Sequence, residues 1–226
     1  AQKGETLWDT IKMIQNYADL ITIRHPLDGS ARLAAEASKV PIINGGDGSN
    51  QHPTQTMLDL YTIQKTKGKL NNLHVGFLGD LKYGRTVHSL IVALSHFNPT
   101  FYFISPAALK IPDHYLEELK EKNIRFFETS SLGTALGRLD VLYVTRIQKE
   151  RFPEPLEYQK YKGVYKITNE TLKGAKHDLK VMHPLPRVDE ISKEVDDSPH
   201  AIYYDQAANG IPVRKALILL ISGKVK

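Results

Sequence analysis

The 226-residue sequence predicts an α/β protein built as two doubly wound parallel-sheet domains, with the active site in the cleft between them. Three observations carry that prediction. Short apolar runs of strand length alternate with longer segments of helical spacing, the pattern of parallel strands joined by helices. The alternation restarts near residue 68, after the polar stretch Lys65-Thr66-Lys67-Gly68-Lys69, which marks the passage from one unit to the next. Arginine, histidine and glutamine recur just after the strand-like runs, and open parallel sheets bind ligands beyond the carboxyl ends of their strands.

The elements follow in order. Leu7, Ile11, Ile14 and Ala18 keep helical spacing. Leu20-Ile21-Thr22-Ile23 reads as a buried strand running into Arg24-His25-Pro26, residues 29–38 as a helix, and Val40-Pro41-Ile42-Ile43 as a second strand. Asn44-Gly45-Gly46-Asp47-Gly48 is expected to be a glycine-rich turn before a helix opened by Pro53, a residue suited to a first helical turn. Met57, Leu60 and Tyr61 are expected to form the apolar face of that helix. In the second unit, strands are expected at 75–78, 101–104, near 125–127, at 141–144 and at 179–182. Helices are expected over 86–97, 113–122 and 206–222.

Composition excludes several classes of protein. There are no cysteines, so disulfides, thiolate metal sites and cysteine nucleophiles are absent, which suits a reducing cytoplasm. The densest apolar run, Ala216–Ile221, is far shorter than the roughly 20 residues that span a bilayer. The polar N-terminal residues AQKGETLWDT contain no signal-peptide core, and the chain is expected to be a piece whose earlier part is missing. The formal charge of +5 comes from basic residues interspersed with acidic ones, which fits attraction of anionic metabolites better than a nucleic-acid surface.

The segments after the strands are Arg24-His25, 44–55, 79–86, 146–151 and 183–187. Several arginines suit substrates with several carboxylates or phosphates, because a guanidinium grips such an anion through two parallel hydrogen bonds. A histidine and a glutamine at a helix start can act on a polarised carbonyl, beside backbone amides that favour negative charge. No Ser-His-Asp set, zinc-type histidine pair or Walker loop is present, and the glycines at 76, 79 and 84 do not fit a dinucleotide fingerprint. The set points to positioning and electrostatic stabilisation of a transfer between two anionic molecules, with no metal and no cofactor.

Read together, KGETLWDT, IRHP, GDGSNQHPTQ, GDLKYGRTVHSL, LYVTRIQKER, HPLPRVDEI and QAANGIPVR resemble the aspartate carbamoyltransferase catalytic subunits along essentially the whole chain. The resemblance implies that residues 1–67 are the remainder of a carbamoyl-phosphate-binding domain, 68–203 an aspartate-binding domain, and 204–226 a helix returning to the first. It implies that Arg24, His52 and Gln55 hold the carbamoyl group, that Arg24 and His52 polarise its carbonyl, and that Lys3 reaches the site of a neighbouring subunit in a homotrimer. Arg85, Thr86, Arg146 and Gln148 would bind aspartate, while Leu185 and Pro186 would lie near the amine and the leaving group. Glu150, Arg151, Glu157 and Tyr158 would belong to a loop that closes over the reactants. The implied activity is transfer of the carbamoyl group of carbamoyl phosphate to L-aspartate in pyrimidine biosynthesis, with separate regulatory chains left open.

One departure from the family pattern is the absence of a Ser-Thr-Arg-Thr phosphate cradle before residue 1. Two other readings compete. An ornithine carbamoyltransferase would bind a cationic side chain and would typically carry a cysteine where Pro184 stands; Arg146 facing an ammonium would incur like-charge repulsion. A non-catalytic relative would keep the fold without the chemistry, but Arg24, His52, Gln55, Arg85, Arg146 and Gln148 are retained together.

Overall fold

The computed structural model describes residues 4–147 and 155–224. The first unit comprises α1 (Leu7–Ile14), β1 (Ile21–His25), α2 (Ser30–Ala37), β2 (Ile42–Asp47) and α3 (Pro53–Lys67). The second comprises β3 (His74–Leu78), α4 (Arg85–Leu94), β4 (Thr100–Ile104), α5 (Asp113–Glu121), β5 (Arg125–Thr129), β6 (Val141–Val144), α6 (Pro155–Tyr161), α7 (Asn169–Leu172) and β7 (Lys180–Met182). Helices α8 (Tyr203–Ala208) and α9 (Gly210–Ile221) follow. Strands β1 and β2 form a two-stranded parallel sheet, and the second sheet has the order β5-β4-β3-β6-β7 with every pair parallel.

Strand alternation builds the core on both faces of the larger sheet. Val75, Phe77, Phe101, Phe103, Val141 and Tyr143 turn to one side, where Ile63 of α3, Leu90 and Leu94 of α4 and Leu119 of α5 cover them. Their sequence neighbours Leu78, Tyr102, Ile104, Leu142 and Val144 turn to the other side, against Leu136, Leu172, Val195 and Tyr203. Burial on both sides explains why these strands read as continuous apolar runs rather than as alternating ones. A smaller core of Ile11, Ile21, Ala34 and Ala37 holds the first unit.

Four local expectations are corrected. The glycine-rich stretch is not a turn throughout: β2 continues to Asp47, which pairs with His25 across a register shift. Gly45 permits this, because a Cβ there would sit 3.1 Å from the Ile23 carbonyl oxygen. Helix α3 does not bury Met57 and Tyr61, which are 41% and 43% exposed. It buries Leu58, Asp59, Thr62 and Ile63, because its inner face meets polar partners as well as apolar ones. Asn209 Nδ2 donates to Thr62 Oγ1 at 2.9 Å, and Lys65 Nζ donates to Asn209 Oδ1 at 3.3 Å. The closing helix is two helices parted at Asn209, and the first helix ends at Ile14, short of Ala18.

Candidate active site

A cleft of about 810 Å³ opens where the two sheets present their carboxyl ends. Arg24 and His25 enter it from the end of β1, His52 and Gln55 from the start of α3, and Arg85 and Thr86 from the start of α4. Arg146 follows β6, and Leu185 and Pro186 follow β7. These residues, singled out from sequence, therefore share one cavity. Tyr158 lies apart from it, in a smaller adjoining pocket that shares Thr145 and Arg146 with the cleft. Lys3, Gln148, Glu150 and Arg151 lie outside the described residues, as does the side chain of Glu157.

Local chemistry explains each position. The turn leading to α3 is organised by Asp47, whose Oδ2 accepts from Gly29 N at 2.8 Å and Asn50 Nδ2 at 3.2 Å, and whose Oδ1 accepts from Asn44 Nδ2. Burial works to raise the pKa of Asp47, but these donors outweigh it and hold the carboxyl below its usual range. His52 then occupies the N-cap position of α3 with Pro53 at the first turn, and its backbone N–H donates to Ser89 Oγ of α4 at 2.9 Å. The imidazole makes no capping bond to the helix. Burial lowers its pKa from 6.5 to about 4, assisted by the positive charges of Arg85, Arg24 and Arg214. His52 is therefore a neutral ring in a cationic cleft, able to donate a hydrogen bond to an oxygen that gains negative charge.

Arg85 crosses from the second unit to the first. Its Nη1 donates to the Gly48 carbonyl at 3.0 Å, and it lies so close to Gly46 that a Cβ there would stand 3.0 Å from its Cζ. Gly46 also has φ of +120°, so its lack of a side chain serves both the backbone and the packing. Gly79, at the end of β3, has φ of +119° and would drive a Cβ to 2.3 Å from the Thr145 carbonyl oxygen, which keeps the β3 and β6 ends adjacent.

The turn after β7 is fixed by His183. Leu185 N donates to His183 Nδ1 at 2.8 Å, which leaves Nε2 to carry the proton toward Glu190 Oε1 at 2.7 Å. Burial would raise the pKa of Glu190, but the hydrogen bonds from His183 and the backbone keep it lowered. Leu185 holds a left-handed φ of +53°, and its peptide bond to Pro186 is cis. Among the described residues, no group of three or more metal-binding side chains is placed to hold an ion, and no helix is long and apolar enough to cross a membrane.

Sequence reasoning missed two participants. Arg214 lines the cleft from α9, a helix face, where an argument from strand ends is silent. Its only signal was the motif QAANGIPVR, in which no single residue stood out. Asp59 lies one helical turn beyond Gln55 and is fully buried, and that spacing was the one available hint.

Two family models match the chain: the carbamoyl-P binding domain of aspartate/ornithine carbamoyltransferases over residues 1–65, and their Asp/Orn binding domain over residues 71–221. With two parallel sheets and an arginine-rich cleft between them, this defines a carbamoyltransferase fold and site. Aspartate carbamoyltransferase catalytic subunits of Thermococcus kodakarensis and Methanocaldococcus jannaschii are 58% and 59% identical over 98% and 96% of the chain, which spans 72% and 70% of their lengths. The crystal structure of the M. jannaschii catalytic subunit matches with a TM-score of 0.90 at 57% identity, over 98% of this chain and 72% of that one. The aspartate transcarbamoylase of Trypanosoma cruzi, solved with N-(phosphonacetyl)-L-aspartic acid, matches with a TM-score of 0.90 at 38% identity, over 98% of this chain and 71% of that one. The chain belongs to the aspartate carbamoyltransferase catalytic subunit family.

Proposed function

We propose that this protein transfers the carbamoyl group of carbamoyl phosphate to the amine of L-aspartate, giving N-carbamoyl-L-aspartate and phosphate as a step of pyrimidine biosynthesis. The observation that carries the reading is the convergence of Arg24, Arg85, Arg146 and Arg214 around a neutral His52 in one cleft. Two anionic substrates need cations to hold them side by side, and a carbonyl under attack needs donors aimed at its oxygen. The T. cruzi aspartate transcarbamoylase, solved with carbamoyl phosphate and aspartate, supports the same substrate pair.

In this reading Arg24 and His52 donate to the carbonyl oxygen of carbamoyl phosphate, and Gln55 contacts the carbamoyl amide. Arg85, Thr86, Arg146 and Gln148 hold the aspartate carboxylates. The aspartate nitrogen attacks the carbamoyl carbon, and the oxygen becomes an oxyanion stabilised by Arg24 and His52. The bond to the phosphate oxygen breaks as the carbonyl reforms, and the leaving phosphate takes the amine proton. The Leu185 carbonyl and Pro186 lie beside the amine and the leaving group. Lys3 is assigned to the site of a neighbouring subunit in a homotrimer. Glu150, Arg151, Glu157 and Tyr158 are assigned to a closing loop, and the setting is the cytoplasm. Residues 1–67 carry the carbamoyl-phosphate side, 68–203 the aspartate side, and 204–226 the return to the first domain.

The test is formation of carbamoyl-aspartate by the purified protein. Activity with aspartate, none with ornithine, and loss in an Arg146→Ala variant are expected. Equal activity with ornithine, or none with either amine, would defeat the reading.

A further inference from the structure

Beneath the cleft lies a buried hydrogen-bond network of which the reaction, as described, uses only Gln55. Its centre is Asp59 of α3, which is 0% exposed. Asp59 Oδ1 accepts from Gln55 Nε2 at 2.9 Å and from Gln206 Nε2 of α8 at 2.6 Å, while Oδ2 accepts from the Tyr143 hydroxyl of β6 at 2.9 Å. Gln206 Oε1 in turn accepts from the backbone N–H of His183 at 2.8 Å. One carboxylate thus ties together three elements, and two of its three partners lead to the cleft, Gln55 directly and Gln206 through His183.

The donors and acceptors admit one arrangement. A backbone N–H can only donate, so Gln206 must turn its oxygen to His183 and its NH₂ to Asp59. Asp59 Oδ1 is thereby committed as an acceptor, and the same atom receives Gln55. Gln55 must then turn its NH₂ inward to Asp59. The amide nitrogen is the engaged end, and the carbonyl oxygen is the end left to face the cleft that Gln55 lines. A proton taken up by the carboxyl would go to Oδ2, where the Tyr143 hydroxyl can change from donor to acceptor, so Oδ1 keeps both glutamines in either state.

We propose that Asp59 is a positioning residue that holds the Gln55 amide with its oxygen toward the cleft, so that the site requires an NH₂ donor on the reacting carbon and selects carbamoyl phosphate over acyl phosphates that lack one. This rests on the carbamoyl-transfer reading of the cleft and adds to it the group that sets the direction of recognition. A freely rotating glutamine would offer either end and would discriminate weakly. A fixed one leaves an unpaired acceptor against a methyl group, and that mismatch is the source of selectivity.

The experiment compares KM for carbamoyl phosphate with the inhibition constant of acetyl phosphate, which carries a methyl in place of the NH₂. In Asp59→Leu the KM for carbamoyl phosphate should rise about tenfold, while acetyl phosphate should change by less than about twofold, the loss of one oriented hydrogen bond. Asp59→Asn should restore the wild-type ratio, because its amide oxygen can take the two glutamines and its NH₂ can donate to Tyr143. Equal weakening of both ligands in Asp59→Leu, or failure of Asp59→Asn to restore the ratio, would overturn the proposal. If the leucine variant does not fold, the Gln55 side-chain amide of the unaltered protein decides by NMR. Slow hydrogen exchange at a rate that carbamoyl phosphate leaves unchanged is expected, and fast exchange, or an exchange rate that changes on binding, would overturn it. No carbamoyl-aspartate formation by the unaltered protein would remove the carbamoyl-transfer reading and this inference with it.

Discussion

His52 shows how a single residue is tuned by its surroundings. Its ring enters a cleft that already holds guanidinium groups, and burial together with Arg85, Arg24 and Arg214 lowers its pKa to about 4. The unfolded value is 6.5, so the unfolded chain binds the proton first as pH falls. The stability contributed by this residue is therefore present above pH 6.5 and is lost as pH drops toward 4. An NMR titration of the His52 ring should show a midpoint near 4, and a midpoint near 6.5 would contradict the electrostatic account. Replacing His52 with alanine should lower kcat by about 10²–10³, the usual loss for one donor to a developing oxyanion, with a smaller change in KM. Asp59 has the opposite sign. Burial raises its pKa from 3.8 to about 7, against the pull of Gln206, Tyr143 and Gln55. The folded state then holds a proton that the unfolded state has released, so stability falls as pH rises from about 4 through 7. Asp59→Asn should accordingly raise the unfolding free energy at pH 8 by about 2–4 kcal/mol and leave it little changed near pH 4, as urea denaturation would read.

At the scale of elements, α3 links the two units. Its apolar side chains are few on the inner face, and Asp59, Thr62 and Lys65 meet Tyr143, Gln206 and Asn209 there. Asn209 bonds both Thr62 and Lys65 at the junction where α8 gives way to α9. Asn209→Ala should cost about 1–3 kcal/mol in urea denaturation, since it removes the donor to Thr62 Oγ1 and the acceptor for Lys65 while Thr62 keeps its bond to the Leu58 carbonyl. Loss below about 0.5 kcal/mol would show that the junction is held by apolar packing instead. This helix is also where the sequence was hardest to read. Met57, Leu60 and Tyr61 fit the expected apolar stripe, but a helix seated on polar partners hides its glutamine, aspartate and threonines. Periodicity records where apolar residues stand, and a buried polar face leaves no such record. The strands of the larger sheet were legible for the converse reason: burial on both faces demands unbroken apolar runs, as in Val141–Val144.

Across the whole molecule, the legible part of the cleft was the part that obeys the strand-end rule. Arg24, His52, Gln55, Arg85, Thr86, Arg146, Leu185 and Pro186 were found that way, or through the motifs around them, and they share one cavity. Arg214 was not, because it arrives on a helix far along the chain. Four guanidinium groups facing one cleft make a field that draws in anions from solution, and dissolved salt screens that field within about 10 Å at 0.1 M. The KM values for both anionic substrates should rise severalfold between 0.05 and 0.5 M sodium chloride, while kcat, set by groups in contact, should change less. An unchanged KM would mean that each cation acts only at touching distance.

The spread of the cleft along the chain has a consequence for biosynthesis. Arg24 and Arg214 lie far apart in the sequence, and α9 brings the two to one cavity. A nascent chain leaving the ribosome can form the small first sheet early, but no anion can meet the full set of guanidinium groups until Arg214 has emerged. Substrate therefore cannot act as a template for the early folding of this protein. It can only reward a chain already made through Arg214, by binding the cleft once that cleft is assembled.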